Sequence, residues 1–178
     1  MTNTERVVYA FEMVYGMRYL YQQNCIHRDL AARNVLISMS GRMKIADFGL
    51  SKVLRTDTGV LQENLKEAPL VWMAPESIAA KMKFSLATDV WSYGVTLFEL
   101  WTNGDKPYSN IEDDDKIIAL LKKAVMPPFP LYSPLPIQDV IKDIWVRSPE
   151  KRPTFDDLVP RLQSIRNEQP PLADTDFK

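Results

Sequence analysis

The sequence predicts a mainly α-helical fold with one or two short β-hairpins. Three observations carry this reading. Apolar residues recur at helical spacing through the opening segment. The stretch from Thr88 to Thr102 is apolar on nearly every side, the signature of a helix buried at the centre of a domain. Two brief apolar or alternating runs, Val35-Leu36-Ile37 and Met43-Lys44-Ile45-Ala46, flank a Ser40-Gly41 turn as the arms of a hairpin would.

The opening helix starts at a capping box, Thr2 and Glu5, in which hydroxyl and carboxylate each satisfy a free backbone N–H. Val7, Ala10, Phe11, Val14, Met17 and Tyr21 form its stripe, which fades near Gln22-Gln23-Asn24. From Leu50 to Leu70 no period is sustained and polar residues dominate, so a long surface loop is expected, functional or mobile. The central helix carries Val90, Trp91, Tyr93, Val95, Leu97, Phe98, Leu100 and Trp101, and Asn103-Gly104 stops it. Glu112 to Ala124 reads as a helix with an acidic first turn and Lys122-Lys123 at its end, matching the helix dipole. Ile137 to Val146 follows Pro136, a good starting residue. Thr154 to Arg166 opens with the capping pair Thr154 and Asp157, and Pro160 inside it is expected to remove a hydrogen bond and kink the helix, at a cost of about 3 kcal/mol. Residues 167–178 read as a polar, frayed tail.

The 178 residues fit one domain with a real core, and 46% hydrophobic with 25% charged residues suits a soluble globular protein. A net charge of −1 does not suggest a strongly basic face for nucleic acid, though a local patch can hide in the sum. No stretch reaches the ~18 apolar residues needed to cross a bilayer, and the first residues carry no apolar signal core, so neither secretion nor a membrane segment is expected of this chain. The single cysteine, Cys25, cannot form an internal disulfide, which points to a reducing compartment. Cys25 lies two residues from the single histidine, His27. A reactive Cys-His pair and a buried small hydrophobe are the two readings of Cys25.

A motif accounts for both residues better. His27-Arg28-Asp29-Leu30-Ala31-Ala32-Arg33-Asn34 is followed by Asp47-Phe48-Gly49 and then by Ala74-Pro75-Glu76. These runs resemble, in order and at plausible spacing, the catalytic loop H-R-D-L-x-x-x-N, the D-F-G and the A-P-E of protein kinases. Asp89-Val90-Trp91-Ser92-Tyr93-Gly94 resembles the start of that family's central helix, and Lys151-Arg152-Pro153-Thr154-Phe155 the opening of its last helix. Ala31-Ala32-Arg33 and the segment 68–73 before A-P-E resemble the tyrosine branch. The chain is therefore similar to the C-terminal lobe of a protein-tyrosine kinase, with residues 1–166 as that lobe and 167–178 as the tail.

Phosphoryl transfer is mostly positioning and charge neutralisation. An attacking hydroxyl needs a carboxylate beside it, and magnesium needs oxygen ligands. The resemblance implies Asp29 as catalytic base, Arg33 as the cation meeting the transferred phosphate, Asn34 and Asp47 as magnesium ligands holding ATP, and Leu36 beneath the adenine. It implies His27 and Phe48 as stacked core residues and Arg28 as the receiver of a phosphate on the 47–76 loop. Glu76 and Arg152 become a buried ion pair, and Asp89 the residue that bonds the catalytic-loop backbone. Pro69, Val71 and Trp72 become the platform for a substrate tyrosine. Gly49 is expected to supply a turn that a Cβ would resist.

Two departures from the family stand out. The glycine-rich loop, the strand lysine and its partner glutamate are not among these residues, so the chain alone is expected to be inactive and to expose apolar surface that leads to self-association or to a covering partner. The segment from Asp47 to Glu76 has no tyrosine. Glu63, Glu67 or Asp57 is the expected stand-in anion for Arg28. The function implied is transfer of the ATP γ-phosphoryl group to protein tyrosine in the cytoplasm, alone or as the cytoplasmic part of a receptor. The alternative is a non-catalytic binding module derived from a kinase, or a truncated fragment.

Overall fold

The computed structural model describes residues 1–55, 58–67 and 69–170. Thr56, Asp57, Ala68 and most of the 167–178 tail lie outside the described residues. Five α-helices carry the fold: α1 (Asn3–Gln22), α2 (Leu86–Trp101), α3 (Asp114–Lys122), α4 (Leu135–Ile144) and α5 (Phe155–Asn167). Six strands of two or three residues form three antiparallel pairs: β1 (Cys25–Ile26) with β4 (Lys52–Val53), β2 (Val35–Ile37) with β3 (Met43–Ile45), and β5 (Leu61–Gln62) with β6 (Lys83–Phe84). The fold is thus mainly helical.

Local chemistry sets the helix ends. Thr2 Oγ1 accepts from Glu5 N at 3.2 Å while the Glu5 carboxylate accepts from Thr2 N, closing the expected capping box. Thr154 and Asp157 close a second one at α5. Asp113 caps α3 by accepting from Asp115 N and Lys116 N, so that helix starts two residues after Glu112. α4 starts at Leu135 instead of Ile137, because Pro136 sits within the first turn, where its missing N–H leaves nothing unsatisfied. Pro160 faces solvent and α5 continues past it to Asn167, so the freed carbonyl meets water.

α2 is the hub. Tyr93, Leu97 and Trp101 are fully buried against Val7, Ala10 and Val14 of α1, Ile137 and Ile144 of α4, and Phe155 and Leu162 of α5. Each such side chain contributes about 1.5–3 kcal/mol. The α1 stripe is wider than its sequence pattern, since Tyr9 and Met13 are also buried while Phe11 and Tyr21 are only partly so. The β2–β3 hairpin covers the additional face, fixed by Glu12, which accepts from Met43 N at 2.8 Å and pairs with Arg42. Gly94 permits the closest helix approach: a Cβ there would lie 2.7 Å from both Ile144 Cγ2 and Trp145 Nε1. α2 ends at Asn103 (φ 58°) and Gly104 (φ 102°). Buried Arg6 donates to Leu100 O at 3.1 Å and Asn103 Oδ1 at 2.8 Å, placing a cation at the negative end of the helix.

The expected featureless loop from Leu50 to Leu70 instead contains β4 and β5. Each is two residues long and pairs with a segment remote in sequence, so no local period announces it. Leu54, Leu61 and Leu65 turn inward onto a small cluster around Ile26, Met73 and Phe84.

Candidate active site

The segment 27–34 leaves β1 and hangs from α2. Asp89, buried in the first turn of that helix, accepts from His27 N at 2.6 Å and Arg28 N at 3.0 Å. This holds Arg28 in the left-handed region, at φ 68°. Burial pushes the Asp89 carboxyl up to about 6, with the two backbone donors and the Arg28 charge opposing that rise. In the last turn of α2, buried Glu99 accepts from Ala32 N at 2.9 Å and from Trp72 Nε1 at 2.9 Å. Ser92 Oγ, between them, donates to Trp72 O at 2.8 Å.

Suspended in this way, Asp29 meets two donors. Arg33 Nη2 donates to Asp29 Oδ1, and Asn34 Nδ2 donates to Asp29 Oδ2 at 2.9 Å and to Asp29 O at 2.7 Å. The guanidinium of Arg33 lies 4.5 Å from the centre of the Trp72 ring. Asp29, Arg33, Leu50, Glu63, Glu67 and Pro69 line a cleft of about 740 Å³. The result is a carboxylate of fixed orientation with a cation beside it, facing a space large enough for a side chain.

Backbone contacts tie Ala46, the residue before Asp47, to the same segment. Ala46 N donates to Asn34 O at 2.9 Å, and His27 Nε2 donates to Ala46 O at 2.9 Å, while Asp29 N approaches His27 Nδ1 at 3.3 Å. These contacts place the ring proton of His27 on Nε2. The left-handed residue of Asp47-Phe48-Gly49 is Asp47 (φ 59°), and Gly49 lies in the turn that follows, closed by Ser51 N donating to Phe48 O at 3.0 Å. A Cβ on Gly49 would crowd Asp47 Oδ1 at 3.3 Å, the oxygen that accepts from Gly49 N. Among the described residues, no group of three or more His, Cys, Asp or Glu is arranged to hold a metal ion. Asn34 turns its amide nitrogen to Asp29, which leaves its Oδ1 over, while one Asp47 oxygen accepts from Gly49 N and the other is left over: few oxygen donors in all. That set suits a hard cation that keeps much of its water.

The other predicted residues lie as follows. Arg152, with a side chain 0% exposed, grips Glu76 with two prongs of 2.6 and 2.8 Å and donates also to Ala87 O and Val146 O. Phe48 meets His27 edge-on at 5.3 Å and is 49% exposed, so it does not stack within a core of this chain as expected. Leu36 is half-exposed on β2. Pro69 lines the cleft, Val71 is partly buried, and Trp72 is a core residue whose ring touches Arg33 and Glu99. Arg28 pairs with Glu63 at 2.8 Å. Cys25 is half-buried, and burial followed by the Asp89 charge pushes its thiol up, against a nucleophilic role.

Glu99, which holds Ala32 and Trp72 in place, is a residue that motif reading missed. Its signal was a lone acid inside the apolar run Leu97-Phe98-Glu99-Leu100-Trp101, where burial demands partners.

The family description "Protein tyrosine and serine/threonine kinase" matches residues 1–162. The chain belongs to the protein tyrosine and serine/threonine kinase family. Among relatives of this kinase chain, vascular endothelial growth factor receptor 1 of Homo sapiens is 39% identical over 165 residues, 93% of this chain and 12% of the receptor. Vascular endothelial growth factor receptor 3 of Coturnix coturnix is 36% identical over 168 residues, 94% of this chain and 12% of that protein. Mast/stem cell growth factor receptor Kit of Gallus gallus is 36% identical over 169 residues, 95% of this chain and 18% of that protein. The kinase chain thus spans less than a fifth of the length of these relatives. No helix among its described residues is long and apolar enough to cross a membrane.

Proposed function

We propose that residues 1–166 are the C-terminal lobe of a protein-tyrosine kinase domain, residues 167–178 a tail, and that the lobe phosphorylates protein tyrosine once an ATP-gripping lobe completes it. The observation that carries this reading is the Asp29–Arg33–Asn34 cluster on the cleft wall, held from above by Asp89 and Glu99. Asp29 accepts the proton of a tyrosine hydroxyl entering the cleft as its oxygen bonds to phosphorus. Arg33 neutralises charge on the transferred group, for which a guanidinium is suited because it stays charged and offers paired donors. Asn34 and Asp47 hold magnesium. Magnesium-ATP supplies the phosphoryl group and neutralises charge at its oxygens when bound.

In this reading Leu36 supports the adenine, and the missing lobe covers Leu36 and Phe48, whose exposure supports a partner there. Pro69 and Val71 guide the acceptor tyrosine, and Trp72 acts from below by seating Arg33. Glu76 and Arg152 brace that platform. The relatives' receptor names support placing the lobe in the cytoplasm, by itself or as part of a receptor.

The test is transfer from labelled ATP and magnesium to a glutamate-tyrosine polymer by the lobe fused behind a kinase N-terminal lobe. Asp29→Asn is expected to lower the rate by about 10²- to 10⁴-fold. Equal rates for both proteins, or transfer confined to serine and threonine polymers, would overturn the proposal.

A further inference from the structure

We infer that Glu63 is a built-in anion for Arg28, a positioning residue that holds the cleft wall against the catalytic loop with no phosphate on the loop. The role rests on the kinase reading; the contact itself does not.

The guanidinium of Arg28 is nearly inaccessible, with a side chain 2% exposed. Its Nε donates to Leu50 O at 2.5 Å, and its plane lies 5.4 Å from the Phe84 ring centre. A cation so placed needs a carboxylate or phosphate, since a buried charge without one costs several kcal/mol. Glu63 supplies it: Arg28 Nη1 donates to Glu63 Oε2 at 2.8 Å. Glu63 is not a surface side chain that wandered in. Its own N–H donates to Met82 O at 3.3 Å. The residues before it form the β5–β6 ladder, and the next residue, Asn64, is bound at both ends of its amide to Met82 N and Ala80 O. The backbone therefore delivers the carboxylate to Arg28 from a fixed strap.

The consequence reaches the cleft. Glu63 is part of the wall that faces Asp29, and Arg28 is the residue before Asp29. The ion pair ties the wall to the residue next to the carboxylate, while Asp89 holds the backbone of Arg28 on the other side. The segment from Asp47 to Glu76 has no tyrosine, so the charge that a phosphotyrosine would bring is already in the chain. Of the three acids that the sequence offered, Glu63 is the one bonded to Arg28; Glu67 lines the cleft, and Asp57 lies outside the described residues.

The test follows trypsin cleavage at Lys66 in the 178-residue chain, which reads loop opening without ATP. Glu63→Gln is expected to speed cleavage roughly tenfold, as loss of one charge-assisted bond would. Glu63→Asp should recover part of the protection, and Glu112→Gln, at an exposed acid outside the cleft, should leave the rate unchanged. Millimolar inorganic phosphate, compared with chloride at equal ionic strength, should slow cleavage of Glu63→Gln and leave the wild type alone, because only the variant leaves Arg28 open to an outside anion. Unchanged cleavage in Glu63→Gln, or phosphate protecting the wild type equally, would overturn the inference. Failure of phosphoryl transfer with these results intact would remove the kinase reading and leave the internal anion standing.

Discussion

Replacing Glu99 with leucine removes an acceptor that a buried donor, Trp72 Nε1, and a part-buried one, Ala32 N, share. Ala32 N and Trp72 Nε1 each lie 2.9 Å from the same oxygen, Oε2, and Glu99 is 6% exposed, so water does not take its place. Each orphaned donor costs about 1–3 kcal/mol. Relief from burying a carboxylate, and the part exposure of Ala32, offset some of that, leaving a net loss of about 1–4 kcal/mol. With a urea slope near 2 kcal/mol per molar, the unfolding midpoint falls by about 0.5–2 M. Glu99→Gln keeps an oxygen where Oε2 stands and should shift the midpoint by less than about 0.5 M. Urea titrations followed by tryptophan fluorescence at constant slope separate the two variants. Equal shifts would refute the reasoning, because then carboxylate charge or simple packing, and not the shared acceptor, would set the effect.

Glu76→Ala leaves the fully buried Arg152 guanidinium facing backbone carbonyls alone, and should lower stability by about 3–5 kcal/mol in the same titration. Adding Arg152→Met to it should restore part of the loss. Gly94→Ala drives a methyl to 2.7 Å from Ile144 Cγ2 and Trp145 Nε1, and should cost about 1–3 kcal/mol through displacement of α4, visible as a lowered melting temperature. Folded Asp89 holds its proton up to about pH 6, against 3.8 for an ordinary aspartate. The folded state therefore binds the extra proton between those values, and this contribution to stability is full below about pH 4 and lost as pH rises through about 6. The difference in unfolding free energy between wild type and Asp89→Asn should thus change between pH 4 and 7 and be flat above pH 7; a constant difference would show that Asp89 does not titrate there.

The helices were legible because their causes are local. Thr2 with Glu5, and Thr154 with Asp157, announce starts that the chain uses, and the all-round apolar run of α2 announces burial. The motif residues were legible as a set: Asp29, Arg33 and Asn34 do meet. What stayed hidden depends on distant partners. β4 and β5 are two residues long and exist only because Cys25–Ile26 and Lys83–Phe84 pair with them. The left-handed turn fell on Asp47 because His27 and Asn34 hold Ala46 from either side, a constraint that no dipeptide preference encodes. Glu63 could be named only as one of three acids, since spacing along a loop does not say which of them the β5–β6 ladder turns toward Arg28.

Because Asp89, Ser92 and Glu99 all project from α2, the loops they hold share the fate of that helix. The amide protons of His27, Arg28 and Ala32 are bonded to its side chains, so they should exchange with solvent only when the whole domain opens, at the rate of its slowest core amides. The Glu63 strap is tied to the chain around Ala80 to Phe84 and to Arg28, not to α2, and should exchange earlier. Two clocks therefore run in one molecule: the segment from His27 to Ala32 keeps time with global unfolding, and the wall of the cleft with a local opening that can be tuned without disturbing it.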